Sequence, residues 1–295
     1  MSERHNIPIR IANVLIELTS PLSAVELGIE QRLGPFRTAD APENPLARVA
    51  LRWEESTHPP VPRGELIYDP GSTWKMYRAG SDVCAALAYE NQGQAMPVQG
   101  VLRANHAWDN LTLTEHRSGL GWQSLLNVGA GELIFRTAIL FTGGLVLHSS
   151  GLDDNGKGIV FIGHSGAGKS TQVGLWSQEP GVVAMNDDRV AVRVEAGGPM
   201  CYGTPWGGTA EIARNHGAPL AALIVLEQAA ENAIRPLAPA AAASLLMARA
   251  FLPYWDAALM QRAMANLNAI LARVPVYHLR CRPETAVISL VRSVL

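Results

Sequence analysis

The chain has 295 residues, of which 24 are basic and 26 acidic, and a formal net charge of −2. This balance creates no basic field of the kind that attracts nucleic acid, so nucleic acid is excluded as an expected partner. The length suits about two domains, and the 48% of apolar residues can form a sizeable core.

The cysteines and the hydropathy pattern bear on the compartment. Cys84, Cys201 and Cys281 lie far apart and form no CxxC pair, which favours neither a disulfide framework nor a zinc site and fits a reducing compartment. The opening MSERHNIPIR lacks the apolar core of a signal peptide. No apolar run reaches the ~18 residues that cross a bilayer. The sequence therefore predicts a soluble, cytoplasmic protein with no membrane partner.

Residues 1–135 are predicted to form a β-rich N-terminal domain. Short alternating or apolar runs, such as IRIANVLIEL, ARVALRW, GELIYD and NLTLTEH, are separated by Pro, Gly and Asn or Asp, which is typical of strands and turns. Helical character is concentrated in SDVCAALAYE. This half shows no motif with a recognisable chemistry. From its position we expect it to dock a substrate or partner, or to mediate oligomerisation.

Residues 136–295 are predicted to form an α/β domain. LVLHSS and GIVFIG are expected to be strands joined by a tight turn at Asn155-Gly156, because this dipeptide suits the two positive-φ positions of a type I′ hairpin. KSTQVGLWSQE is predicted to be a helix, and VVAM, RVAVRVE, PLAALIVLE and VPVYHLR are predicted to be strands. Further helices are expected near 238–252 and 255–272, split by Pro253, and in PETAVISLVRSVL, which opens at Pro283.

The segment GHSGAGKS fits the phosphate-loop pattern G-x-x-x-x-G-K-[ST] without a mismatch. An apolar strand precedes it and a helix follows. Glycines let successive backbone N–H groups point at phosphate oxygens, and the helix N-terminus faces the same anion. A plain Gly-rich turn is the alternative interpretation. The predicted nucleotide-binding residues are Gly163, His164, Ser165, Gly166, Ala167, Gly168, Lys169, Ser170 and Thr171, with His164 and Ser165 contributing mainly backbone.

Two side chains of this segment have expected chemical roles. The ammonium group of Lys169 offsets charge on the outer phosphates, and the hydroxyl of Ser170 can ligate Mg²⁺. We therefore expect ATP and Mg²⁺ as ligands.

A pair of carboxylates follows the next predicted strand. VVAMNDD ends in Asp187 and Asp188, at the strand end where α/β sheets bind ligands. Two adjacent carboxylates can divide the work, one holding Mg²⁺ and one taking a proton from an attacking hydroxyl. A plain Asn-Asp-Asp turn is the alternative. For His148, at the end of the first hairpin strand, the residues leave a structural role and a phosphate contact equally open.

Together these residues resemble the catalytic domain of HPr kinase/phosphorylase, whose P-loop fold is related to that of phosphoenolpyruvate carboxykinase. The similarity is carried by LVLHSSGLDDNGKGIVFIGHSGAGKS followed by VVAMNDDRVAV. It covers about residues 145–195 well and the rest of the C-terminal half loosely. It implies an α/β P-loop kinase domain of the HPr kinase/PEP carboxykinase-like type, with a mixed sheet, after the β-rich N-terminal domain.

The resemblance also implies roles for individual residues. Asp187 corresponds to the family's catalytic aspartate, the general base in phosphorylation, and His148 to an active-site histidine that assists phosphate positioning. Asp188 and Ser170 correspond to the metal side. The signature resembling RGLGIIDV, linked to dephosphorylation, is absent, and YGTPWGGTAEIARN stands in its place, so phosphorylase activity stays open. TPWGG either shapes the acceptor pocket or is a plain Gly/Pro loop.

The chain resembles the divergent HPr-kinase-related proteins associated with peptide-modification pathways more than it resembles HPr kinase/phosphorylase itself. This implies an ATP-dependent kinase that phosphorylates a hydroxyl, with serine of a peptide or small protein as the expected acceptor and with Lys169 offsetting charge on the transferred group. The alternatives are a kinase of a small molecule such as free serine, a nucleotide-binding or hydrolysing regulator without an acceptor, and a nucleotide-gated adaptor. The sequence leaves open the acceptor, the donor (ATP, ADP or pyrophosphate) and the oligomeric state, homo-oligomers included.

Overall fold

The computed structural model describes residues 4–39, 44–88, 90–91, 94–95, 97–117, 119 and 122–295. In these residues the chain is mixed α/β, with two large mixed sheets and few helices. It divides into two compact units, Met1–Ala138 with Tyr254–Ala257, and Ile139–Pro253 with Ala258–Leu295. Within the described ranges, every helix is too short or too polar to cross a membrane.

The first unit is built on an eight-stranded sheet in the order β1-β2-β3-β10-β9-β6-β5-β4, in which β3 runs parallel to both β2 and β10. Along β3, Val49, Leu51 and Trp53 are buried and their neighbours are not, as the two-residue period of a strand dictates. The strands are β1 (His5–Ile11), β2 (Val14–Ser20), β3 (Ala47–Ser56), β4 (Glu65–Tyr68), β5 (Trp74–Ala79), β6 (Asp82–Leu87), a separate small pair of β7 (Glu90–Asn91) and β8 (Gln94–Ala95), β9 (Gly100–Ala104) and β10 (Asn110–His116).

The strands expected in IRIANVLIEL, ARVALRW, GELIYD and NLTLTEH are confirmed, although IRIANVLIEL forms two strands. Ala12 and Asn13 separate β1 from β2, with φ of 46° and 60°. The helix expected in SDVCAALAYE was wrong, because Asp82–Leu87 is β6, paired with β5 and β9. The last four residues of β6 are buried, so pairing within the sheet overrides the helix propensity of alanine. Tyr89 of that segment lies outside the described residues.

Two helices of the first unit were missed by the sequence analysis. They are α1 (Glu30–Leu33) and α2 (Gly129–Ala138), and α2 follows a short 3₁₀ turn at Leu125–Asn127. The glycines in GAGELIFRTA weaken the helix signal. Burial of Leu133, Ile134 and Phe135 compensates, because tertiary packing supplies most helical stability.

The second unit carries the elements around the glycine-rich segment. Its strands pair in the order β12-β11-β14-β15-β16-β18-β17, with β13 on β11, and β12 also pairs with β16. Consequently β11, β14, β15, β16 and β12 form a closed ring of pairings. The elements are β11 (Gly144–Asp154), β12 (Lys157–Ile162), α3 (Lys169–Trp176), β13 (Val182–Asn186), β14 (Arg189–Glu195), β15 (Gly198–Gly203), β16 (Gly217–Gln228), β17 (Ala233–Pro236), α4 (Pro239–Met247), α5 (Ala257–Leu271), β18 (Val276–Cys281) and α6 (Ala286–Arg292).

The predicted hairpin leading into the glycine-rich segment is confirmed. β11 and β12 pair antiparallel, and the turn residues Asn155 and Gly156 have φ of 53° and 90°. β12 is buried between β11 and β16 and pairs parallel with β16. Helix α3 packs on this sheet through Trp176, whose ring lies 6.2 Å from that of Phe161. The segment between β12 and α3 is therefore held at both ends by the core.

Helix α4 ends earlier than the sequence predicts. It stops at Met247, whereas the expected helix extended to residue 252. The chain beyond it runs along β11, where Phe251 N–H donates to the carbonyl of Val146 at 3.0 Å and His148 N–H donates to that of Arg249 at 2.7 Å. These bonds satisfy the backbone without a helix and bring Arg249 beside His148.

Candidate functional site

The glycine-rich segment forms a tight loop between β12 and α3. A Cβ atom on Gly163 would lie only 2.6 Å from the Cβ of Ala167, so a side chain at 163 would prevent this closure. Gly168, directly before α3, has φ of 101°, a conformation that glycine adopts readily. The two outer glycines of the motif therefore set the shape of the loop, and α3 begins at Lys169.

Lys169 lies folded against this loop. The side chain is buried, and its Nζ donates to the carbonyls of Gly163 at 3.1 Å and His164 at 3.2 Å. Burial lowers the pKa of Lys169; the charge of Asp188 opposes this shift and that of Arg249 adds to it. Few carboxylates lie near enough to balance the charge of the Lys169 ammonium group, so a bound anion would stabilise its charged form.

A cavity of about 550 Å³ opens beside the loop. Gln228, at the end of β16, donates from Nε2 to the carbonyl of Gly166 at 2.6 Å and so ties the loop to the neighbouring strand. The cavity is lined by His148, Ser165, Gly166, Gly168, Lys169, Ser170, Thr171, Asp187, Asp188, Gly208, Thr209 and Gln228.

Most residues predicted for the site therefore meet at one cavity. Three residues of the predicted nucleotide set do not line it: Gly163 and Ala167, which are buried in the loop, and His164, which is exposed and contacts the Ser165 carbonyl through Nδ1 at 2.6 Å. Gln228 and Thr209 line it without having been predicted, because neither belongs to a motif and only the fold brings them near.

Asp188 faces the cavity and is surrounded by cations. Its Oδ1 lies 2.9 Å from Nε2 of His148, and its Oδ2 accepts a hydrogen bond from the Arg189 guanidinium. Burial alone would raise the pKa of Asp188, but the hydrogen bond from His148 and the charges of Arg189, His148 and Lys169 together lower it. Asp188 is therefore held as an ionised carboxylate at the cavity wall.

Asp187 is bound in a different way, although it is the next residue. The residue is 3% exposed, and its side chain accepts three backbone hydrogen bonds. Oδ1 accepts from Gly208 N–H at 2.7 Å and Ile212 N–H at 3.2 Å, and Oδ2 accepts from Ala210 N–H at 2.8 Å. Three of its about four lone-pair sites are thus occupied by one loop of the protein.

Asn186 fixes the start of the same loop. Its Nδ2 donates to the carbonyls of Thr204 at 2.9 Å and Trp206 at 3.3 Å, and its Oδ1 accepts from the N–H groups of Asp188 at 2.7 Å and Arg189 at 2.6 Å. Asn186 and Asp187 therefore anchor residues 204–213, which we call the TPWGG loop. This loop brings Gly208 and Thr209 to the cavity.

Arg249 is a cation near the site that sequence reasoning missed. Its guanidinium donates to the carbonyl of Ala248 at 3.1 Å, and its charge acts on Lys169. Two like charges that interact destabilise each other, and an anion bound near both would relieve this repulsion. No motif contains Arg249, and only the run of residues 248–251 along β11 places it there.

The metal-ligand arrangement is sparse. Among the described residues, no group of three or more His, Cys, Asp or Glu side chains is placed to hold a metal ion. Ser170 and Asp188 nevertheless line the same cavity, and Mg²⁺ commonly takes only one or two protein oxygens together with waters and substrate phosphates. The oxygen donors present therefore fit Mg²⁺ bound with a phosphate ligand better than a protein cage for a metal alone.

A family model described as "SynChlorMet cassette protein ScmC" matches residues 124–290, which is more than half of the chain. The matched range contains the glycine loop, the carboxylate pair and the TPWGG loop. No curated protein matches the chain.

Proposed function

The chain belongs to the ScmC family, and we propose that it is an ATP-dependent kinase that transfers a phosphoryl group to the hydroxyl of a serine in a peptide or small protein. We propose with it that the second unit has the P-loop fold of the HPr kinase/PEP carboxykinase type. The acceptor class rests on the resemblance of the sequence to kinases of peptide-modification pathways.

One observation carries the proposal. The glycine loop, with Lys169 and Ser170 at the start of α3, shares a single cavity with His148, Asp187 and Asp188. Phosphoryl transfer depends mainly on positioning and on stabilising charge around the transferred group. A site for it needs amide donors and cations for the phosphates, oxygen ligands for Mg²⁺ and a group that accepts a proton, and this cavity has candidates for each.

In the proposed reaction the loop amides and Lys169 bind the phosphates of ATP, and Arg249 adds positive charge. The oxygen of the acceptor hydroxyl attacks the γ-phosphorus, and the bond from that phosphorus to the bridging oxygen of ADP breaks. The hydroxyl proton passes to a titratable side chain of the cavity, for which the resemblance names Asp187. His148 and Asp188 are the other candidates, and both have more exposed side chains.

Mg²⁺ fits this arrangement as an ion bound by the phosphate oxygens. Ser170 and Asp188 are the residues that would hold it. When bound, it neutralises negative charge on the phosphate oxygens.

The direct test is to incubate the full-length protein with Mg²⁺ and ATP labelled at the γ-phosphate, adding serine-containing peptides, free serine or buffer alone. The chain offers a matched pair of variants. Lys169→Met removes the cavity lysine, whereas Lys157→Met removes an exposed lysine of β12 that does not line the cavity and whose Nζ donates to the Leu295 carbonyl at 3.3 Å. Parallel reactions with ADP labelled at the β-phosphate or with labelled pyrophosphate in place of ATP identify the donor.

We expect label on a peptide serine with the wild-type protein and with Lys157→Met, and no label with Lys169→Met. Label on free serine but not on peptides would replace the peptide acceptor by a small molecule. Phosphate released only to water would favour a hydrolysing regulator. If the wild-type protein neither binds nor turns over ATP, ADP or pyrophosphate, the kinase proposal fails.

A further inference from the structure

We propose that Asp187 is a positioning residue that holds the TPWGG loop as the acceptor-side wall of the cavity, and that it is not the group that takes the acceptor proton. This inference rests on the proposed function, since it assigns the substrate side of the same site. It departs from the role that the resemblance gives to Asp187.

The first argument is access. A general base must come within about 2.6–3.2 Å of the proton it takes, but Asp187 is only 3% exposed. Its oxygens already lie at hydrogen-bond distance from the N–H groups of Gly208, Ala210 and Ile212. These bonds leave at most one lone pair for an acceptor hydroxyl, on a residue that is almost closed to solvent, whereas Asp188 is only partly buried.

The second argument is the fit between the loop and the carboxylate. A Cβ atom on Gly208 would lie 2.9 Å from Oδ2 of Asp187 and 3.0 Å from Cβ of Asp188. A Cβ atom on Gly207 would lie 3.0 Å from Oδ1 of Asp187. Both glycines therefore allow the backbone to close directly around the carboxylate, and the GG of TPWGG is explained by this close approach.

The third argument is what the loop presents. Alternate N–H groups, those of residues 208, 210 and 212, point at Asp187. Between them Thr209 is exposed and lines the cavity. The phosphates of the donor occupy the part of the cavity formed by the glycine loop, so Gly208 and Thr209 are left to contact the acceptor. A carboxylate that holds Thr209 in place thereby sets acceptor affinity.

The test compares Asp187→Asn, Asp187→Ala and the control Glu211→Gln. Asparagine retains one acceptor oxygen, so it can keep the Gly208 and Ile212 bonds while losing the bond to Ala210; alanine loses all three. Glu211 is an exposed residue of the same loop, and Glu211→Gln removes one negative charge without touching the three bonds.

The first readout is amide hydrogen exchange at residues 208, 210 and 212, which requires neither nucleotide nor activity. We expect slow exchange in the wild-type protein and in Glu211→Gln, intermediate exchange in Asp187→Asn and fast exchange in Asp187→Ala, with the core strands still protected. Unchanged exchange at these amides in both Asp187 variants would overturn the proposal. If Asp187→Ala does not fold, the Asp187→Asn result decides.

The second readout is kinetic. A positioning role predicts that Asp187→Asn raises the KM for the acceptor by at least about tenfold while the KM for MgATP stays constant, because one charge-assisted bond is lost, and that Asp187→Ala raises it further. Equal loss of kcat in Asn and Ala variants, with acceptor KM unchanged, would overturn the proposal and return Asp187 to the proton-accepting role. If the wild-type protein phosphorylates no acceptor, the proposed function fails, and the exchange experiment still decides whether Asp187 anchors the loop.

Discussion

Each unit of the protein contains a buried carboxylate that holds a chain segment through hydrogen bonds. In the first unit, Glu115 accepts bonds from Trp53 Nε1, Ser124 Oγ and Leu125 N–H. In the second unit, Asp187 accepts three bonds from the TPWGG loop. Glu115 is 1% exposed, whereas Asp187 lies on the wall of the cavity beside the glycine loop.

The comparison of the two carboxylates shows that burial and hydrogen-bond partners alone do not distinguish a residue of a binding site from a residue that only stabilises the fold. In each unit a buried carboxylate accepts three hydrogen bonds and thereby holds a segment of the chain in position. Only the surroundings distinguish the two, because the segment held by Asp187 faces the cavity beside the glycine loop. We therefore expect substitutions at the cavity to change ligand binding and substitutions around Glu115 to change stability.

The largest expected effect is on the cavity side. Lys169→Met removes the ammonium group next to the loop carbonyls, and we expect the affinity for MgATP to fall about 10- to 100-fold, the value of one or two charge-assisted hydrogen bonds. Isothermal titration calorimetry measures this. Cooperative unfolding should persist, and a variant that binds MgATP like the wild-type protein would remove Lys169 from the site.

The opposite pattern is expected for Glu115→Ala. It leaves the Trp53, Ser124 and Leu125 donors without their acceptor in a buried region, so we expect a loss of about 2 kcal/mol or more in the free energy of unfolding. Chemical denaturation followed by tryptophan fluorescence measures the loss. Affinity for MgATP should stay constant in the protein that remains folded; a stability equal to that of the wild-type protein would show that Glu115 anchors nothing.

The pH dependence of stability sharpens the comparison further. Burial raises the pKa of Glu115 despite its three hydrogen bonds, so the folded state binds this proton more tightly than the unfolded state. The contribution of protonated Glu115 to the free energy of unfolding is then fully present below the ordinary pKa of glutamate and is lost as the pH rises through the raised pKa. Glu115→Gln should gain stability relative to the wild-type protein as the pH rises through this window. A pH-independent difference would contradict the raised pKa.

The smallest expected effect is that of Arg249→Gln. Its charge reaches Lys169, but Arg249 does not line the cavity, so we expect MgATP affinity to fall only a few-fold, as for a partly screened charge. The fall should shrink at high salt because screening weakens the contribution of the arginine. A titration at low and high ionic strength measures both, and an equal affinity of variant and wild type at low salt would exclude Arg249 from the electrostatics of the site.

The sequence predicts those parts of the site that depend on local residues. The Asn155-Gly156 turn, the glycine loop before α3 and the carboxylates after β13 each follow from a few neighbouring residues. The partners of Asp187 could not be predicted, because they lie on a loop between β15 and β16 that reaches it only through the closed pairing of the strands. Arg249 and Gln228 are near the loop for the same non-local reason, and the pairing of β6 overrode the local helix signal of SDVCAALAYE.

The most direct test of the central claim is hydrogen exchange at the backbone amides of residues 163–170, measured with and without saturating MgATP. If these amides bind a polyphosphate, their exchange slows when the ligand is added, and Lys169→Met needs about 10- to 100-fold more MgATP than the wild-type protein for the same slowing. Exchange in the wild-type protein that is indifferent to MgATP, ADP and pyrophosphate would contradict the account.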